Sequence, residues 1–171
     1  MIKGTSGITL IELVVVVGIM TILLSLATLA FNSYQVRYNV ESEIKTLYAD
    51  IMGARIRAMN ENRPYIVKFT GIKSYVTAID INGDGDYGAG DIKIDRYSKD
   101  NLKYELDWKI PTYSNNKLKL DNRGLVNGNC TTDFKCYVRV NKDNSSEYDC
   151  IAISNTRIKM GKWDGTDCNP R

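Results

Sequence analysis

From Ile8 to Phe31 the chain carries a single charge, Glu12, and no proline. At about 1.5 Å per helical residue, this apolar run is long enough to cross the roughly 30 Å hydrocarbon core of a bilayer. Residues 8–31 are therefore expected to form a transmembrane helix. The segment before it, residues 1–7, is short and polar with one positive side chain, Lys3. A cleavable secretory signal has an apolar core of about 7–15 residues followed by a small-residue cleavage site. This run is longer, and no A-x-A site follows it. One carboxylate stands out, because an ionised Asp or Glu inside lipid costs about 3 kcal/mol on insertion scales. Glu12 needs either a partner or a place near the interface.

The remainder is polar and rich in Asn, Asp, Lys and Tyr, with a net charge of +3 for the 171 residues. A sequence pI near 8.6 makes the chain only mildly basic, which by itself implies no nucleic acid. The absence of histidine excludes His-based nucleophilic triads and His-ligated zinc. With no nucleophile signature either, the chain reads as non-enzymatic. Four cysteines, Cys130, Cys136, Cys150 and Cys168, lie in the last quarter. An even count confined to a non-cytosolic head favours disulfides over metal ligation.

The junction Gly7-Ile8-Thr9-Leu10-Ile11-Glu12-Leu13, followed at once by the apolar helix, resembles the class III leader junction of type IV pilins and type II secretion pseudopilins. The resemblance implies that residues 1–7 are a leader, removed by a prepilin peptidase between Gly7 and Ile8 with N-methylation of Ile8. Many members carry Phe where Ile8 stands. It also implies a single-pass inner-membrane location with the head in the periplasm, and then assembly with other pilins or pseudopilins. In such a filament Glu12 is expected to pair with the amine of a neighbouring subunit's Ile8 and set the axial register.

Past the membrane the helix is expected to continue over residues 32–63. Val40, Ile44, Leu47, Ile51, Ala54 and Ala58 recur at steps of three and four, giving one apolar stripe flanked by Glu41, Lys45, Asp50, Arg57 and Glu61. Gly53 on this helix marks close packing, and Arg63-Pro64 is the stop, since proline disfavours helical geometry in the residue before it. From there to residue 171 short alternating runs predict a β-rich head, with strands over 65–69, 75–79, 92–97, 102–106, 117–120, 136–140, 148–153 and 157–160. Asn122-Arg123-Gly124 reads as a turn. The fold class is α+β: a long N-terminal helix packed on an antiparallel sheet, pilin-like in outline.

Residues 80–91 match the spacing of an EF-hand loop, with oxygen donors at Asp80, Asn82, Asp84 and Asp86, glycine at Gly85, and Asp91 in the last ligand place. The final ligand is normally a bidentate Glu, and strands rather than helices flank this loop. Two readings stand: a Ca²⁺ site, or a hairpin loop held by Asx side chains and left-handed glycines. The D-x-N-x-D-G pattern between two early strands also resembles the GspH/FimT group of minor pseudopilins and minor pilins. Residues 119–124 and the run 151–159 extend that likeness.

For the cysteines, Cys130–Cys136 would close a tight hairpin and Cys150–Cys168 would tie the tail to a strand, while sequence leaves the other two pairings open. No C-x-x-C is present, so both bridges read as structural. The tail gathers Arg157, Lys159, Lys162 and Arg171 beside Trp163, a patch able to hold DNA through phosphates and stacking. Some FimT-type minor pilins bind DNA through a Gly-Arg-x-Arg motif. Thr156-Arg157-Ile158-Lys159 resembles it without the glycine, and a charged surface strand is the other reading. The function expected is a structural minor pilin or pseudopilin subunit, with a DNA-binding minor pilin as the alternative. No cofactor is required on either reading beyond the Ca²⁺ the loop would take.

Overall fold

A computed structural model of the chain describes residues 7–110, 116–127, 130, 136–142 and 145–171, those at 27–30 by backbone alone. It divides into two compact units, Met1–Val36 and Arg37–Arg171. One helix, α1 (Leu10–Glu61), runs from the first unit into the second. Among the described residues ten strands follow, and every pairing between them is antiparallel, so the chain is α+β.

In the first unit the described side chains of the helix from Leu10, at 83% exposure, through Leu24 and Phe31 to Gln35 are all exposed, and only Val36 is half-buried. It is the one helix among the described residues long and apolar enough to cross a membrane.

In the second unit the same helix behaves as a core element. Val40, Ile44, Leu47, Ile51, Ala54 and Ala58 are all buried, the six positions of the sequence stripe. Burying each Val, Ile or Leu of this set is worth about 1.5–3 kcal/mol. The helix closes at Asn62, which adopts a left-handed φ of 52°, and Arg63 N–H returns to the Ala58 carbonyl at 3.2 Å. This is the Schellman arrangement, with Pro64 directly after it.

Strands β1 (Tyr65–Gly71), β2 (Ser74–Ile79), β3 (Ile92–Lys93), β5 (Lys117–Leu120) and β6 (Val126–Asn127) form the first sheet, in the order β3-β2-β1-β5-β6. Its register places Tyr65, Val67, Phe69, Tyr75, Leu118 and Leu120 on one face. That face meets α1, where Tyr75 donates to Asp50 at 2.7 Å and Tyr65 to Glu61 at 2.8 Å. The opposite face carries Lys68, Lys117 and Lys119. The second sheet, β10-β9-β8-β7-β4, is built from β4 (Leu106–Lys109), β7 (Cys136–Val140), β8 (Cys150–Ile153), β9 (Ile158–Trp163) and β10 (Cys168–Pro170). Trp108 of β4 stacks on Phe69 of β1, with centroids 5.0 Å apart.

The head thus holds two sheets where one was expected, and several strands differ from the sequence reading. The run 92–97 pairs only at Ile92–Lys93 and then turns through a 3-10 segment, Asp95–Tyr97. There Thr77 gives its hydroxyl to the Tyr97 carbonyl and its N–H to the Ser98 hydroxyl, so side chains replace ladder bonds. The turn brings the Tyr97 ring over Gly53, where a Cβ would lie 2.9 Å from the ring carbons. The run 102–106 is no strand because its amides are claimed elsewhere: Lys103 and Tyr104 N–H both donate to Glu43 of α1. Strand β4 begins only at Leu106. The last expected strand, 157–160, extends to Trp163 and is followed by β10, which the sequence reading lacked.

Candidate functional site

The junction ahead of α1 is non-helical and exposed at Gly7, Ile8 and Thr9. Thr9 caps the helix: its hydroxyl accepts the Glu12 N–H at 3.3 Å and its carbonyl accepts the Leu13 N–H at 3.2 Å. Thr9-Leu10-Ile11-Glu12 is therefore a capping-box sequence, with Glu12 in the first turn where the helix dipole favours negative charge. That role of Thr9 was missed in the sequence, although T-x-x-E before an apolar run is its signal. Gly7 is not demanded by the fold, since a Cβ there would meet nothing within 4 Å. Residues 1–6 of the expected leader lie outside the described residues.

The acidic loop lies against the lysine-bearing face of the first sheet. The Asp80 carboxylate is buried. It receives Lys119 Nζ at 2.9 Å, with Gly83 N–H at 2.8 Å and Gly85 N–H at 3.2 Å. Asp86 is bridged by Lys68 at 2.8 Å and Lys117 at 3.3 Å. These lysines, led by the hydrogen bond from Lys68, hold its carboxyl below the ordinary aspartate value despite some desolvation. Asn82 and Asp84 close successive Asx turns, taking the Asp84 and Asp86 N–H groups. Asp91 accepts the Ile81 and Gly88 N–H groups. Gly83 and Gly85 take φ near +77° and +75°, the left-handed region that the turns require. Among the described residues no three His, Cys, Asp or Glu side chains form a group able to hold a metal ion. The carboxylates close on lysines and backbone amides, which is the geometry of the hairpin-loop reading.

Both disulfides are formed, Cys130–Cys136 and Cys150–Cys168, with Cα separations of 5.4 and 6.0 Å. The second joins β8 to β10 across β9. Cys150 and Cys168 pack with Ala152 into a small core roofed by Tyr137 and Trp163. Gly161 of β9 lies beneath: a Cβ there would fall 2.4 Å from the Asn169 carbonyl oxygen and 3.0 Å from Cys168 Sγ.

The basic residues of the tail divide. Arg157 and Lys159 are exposed around the β8–β9 turn. This turn is pinned by Arg157 N–H to the Ser154 hydroxyl and by Arg55 of α1 to the Thr156 carbonyl, at 3.0 and 2.9 Å. Lys162, an odd number of residues along β9 from Lys159, leaves the opposite face of the strand. It pairs with Asp149, which also takes the Trp163 N–H at 2.7 Å. Trp163 is packed against Tyr137 and lies under the Arg139 guanidinium. Lys162 and Trp163 meet at Asp149, and Trp163 carries Arg139, a constellation that no contiguous motif announced. Comparison of the chain with protein-family models, with curated proteins and with solved structures returns no match.

Proposed function

We propose that this chain is a structural subunit of the type IV pilin and pseudopilin kind, of GspH/FimT-like character. On this reading it is cleaved after Gly7 by a prepilin peptidase, held in the inner membrane by the first half of α1, and assembled through that half into a filament. The observation that carries the reading is the exposed, non-helical Gly7-Ile8-Thr9 segment directly before a capped helix whose described apolar side chains are exposed as far as Phe31. A peptidase needs an extended substrate, and a buried glycine inside a helix would present none. An unsatisfied apolar helix needs lipid or other helices. On this reading Glu12, in the N-terminal turn, pairs with the new amine of a neighbour's Ile8.

Co-expression with a prepilin peptidase, followed by intact mass measurement, tests the first step. The wild type should lose residues 1–7 and gain one methyl group, and Gly7→Val should keep its full mass. Glu12→Ala should be processed but absent from the sheared filament fraction. A chain left uncleaved by the peptidase would remove the proposal.

Exposure of both Arg157 and Lys159 favours the second reading, a DNA contact at the β8–β9 turn. Fluorescence anisotropy with a labelled oligonucleotide and the full chain in detergent decides it. Salt-sensitive binding should fall on combined Arg157→Ala and Lys159→Ala substitution, while no binding at low salt excludes this reading.

A further inference from the structure

On the second sheet a cleft of about 290 Å³ is lined by Arg139, Lys142, Asp149, Lys162 and Trp163, with Val140 at its wall. Arg139 is held on two sides. Its Nε donates to Asp107 at 2.9 Å, and its Cζ lies 4.3 Å above the Trp163 ring. Trp163 is itself fixed by Tyr137, whose ring centroid is 4.7 Å away, and by its N–H bond to Asp149. Both terminal nitrogens of Arg139, with their four N–H donors, have no hydrogen-bond partner among the described residues. A planar guanidinium held flat with its outer edge unspent is prepared for two-point bonding to an oxyanion.

We propose that this cleft binds a compact carboxylate-bearing ligand, an acidic sugar residue, with the carboxylate on the Arg139 terminal nitrogens. Two features select the class. The cations stand beside carboxylates, Arg139 by Asp107 and Lys162 by Asp149, so the local positive charge is modest. That balance suits a singly charged group over a doubly charged phosphate or a polyanion. The volume admits one sugar ring, and four charged side chains, Arg139, Lys142, Asp149 and Lys162, share the lining with Val140, Trp163 and Gly165, a mixed surface suited to a ring that carries both hydroxyls and C–H groups. Asp149 is the acceptor for sugar hydroxyls, and Lys142, exposed at the end of β7, closes the anionic side. None of this depends on the filament reading.

The test uses the full chain in detergent with Trp108→Phe, which leaves Trp163 as the only indole. Its fluorescence should respond saturably to a galacturonate trisaccharide and not to the neutral galactose trisaccharide. Arg139→Lys keeps the charge but loses the fork, and should weaken binding by about tenfold or more. Lys142→Gln, at an exposed position, should also weaken it and serves if the Arg139 variant fails to fold. The proposal falls if the acidic trisaccharide gives no saturation by about 10 mM. It falls equally if the neutral sugar binds as well, if the folded variants bind like wild type, or if a carboxyl-terminated dipeptide or a short oligonucleotide binds more tightly.

Discussion

Asp80 shows how single residues set the chemistry of the acidic loop. Its carboxylate is fully covered and relies on Lys119 and two glycine amides. Removing one partner of such a pair leaves a buried charge short of compensation. Because two N–H bonds remain, Lys119→Ala should cost about 2–3 kcal/mol in chemical denaturation. The double variant Asp80→Asn with Lys119→Met should recover part of that loss. For Ca²⁺ to bind here it would have to displace lysines from Asp80 and Asp86. Added Ca²⁺ at about 1 mM should then raise stability by less than about 0.5 kcal/mol in a thermal melt. A rise of several degrees would show Ca²⁺ bound at the loop.

Two other carboxylates respond to pH with opposite sign. Asp86 has a lowered folded pKa, chiefly through Lys68 and then Lys117. Its contribution is present above the unfolded value of about 3.9 and is lost as pH falls through the folded one. Asp50 is raised by burial, against the opposing pull of the Tyr75 hydroxyl and Lys99. The folded state therefore holds its proton more tightly, and stability declines as pH rises from the ordinary aspartate value through the raised one. Denaturation across pH 2–7, roughly the carboxylate range and above, should show Asp86→Asn with a shallower acid loss than wild type. Asp50→Asn keeps an acceptor for Tyr75 and should exceed wild type at neutral pH while matching it in acid. Parallel profiles for all three proteins would contradict these assignments.

At the scale of elements, α1 performs two tasks with one continuous helix. Its stripe from Val40 to Ala58 is buried to the last residue, so Ile51→Ala should destabilise the head by about 2–5 kcal/mol in denaturant titration. Leu24→Ala, on the exposed first half, should leave head stability unchanged. The stripe was legible because a 3.6-residue period survives wherever one helix face is buried. Strands β5 and β7 were legible for the same reason with period two, while β1 and β2, buried on both faces over much of their length, were legible as short β-branched and aromatic runs. What failed to show was structure made by distant partners. Glu43 takes the amides of Lys103 and Tyr104 from 60 residues away, and this leaves 102–106 without a ladder. Gly161 is needed because the Asn169 backbone of β10, and behind it Cys168 Sγ, come too close for a Cβ, which no local pattern encodes. The loop 80–91 had the donor spacing of a cation site, but its lysines come from β1 and β5, outside the loop's own motif. The Asp149–Lys162–Arg139 constellation is likewise assembled from β7, β9 and the residue just before β8, and leaves no contiguous trace.

For the whole molecule, the helix's polar face matters as much as its stripe. Glu41 accepts the Glu147 N–H, Glu43 the amides of 103 and 104, Asp50 the Tyr75 hydroxyl, and Arg55 reaches the Thr156 carbonyl. These contacts reach the first sheet, the segment before β4, and both ends of β8. The second unit is therefore expected to melt as one cooperative body. The disulfides both lie in the second sheet's half of it, yet their loss should be felt throughout. Opening Cys150–Cys168, which spans 18 residues, removes a constraint worth about 3 kcal/mol on the chain-entropy model. Cys150→Ser with Cys168→Ser should lower the melting midpoint by the same amount whether followed by Trp108 and Trp163 fluorescence or by helical circular dichroism. The helical signal should fall only in part, because the first half of α1, embedded in detergent, must satisfy its own backbone and stays helical. Separate midpoints for the two probes would mean that the helix and the second sheet unfold independently, and the carboxylate contacts would then be surface decoration rather than the coupling between them.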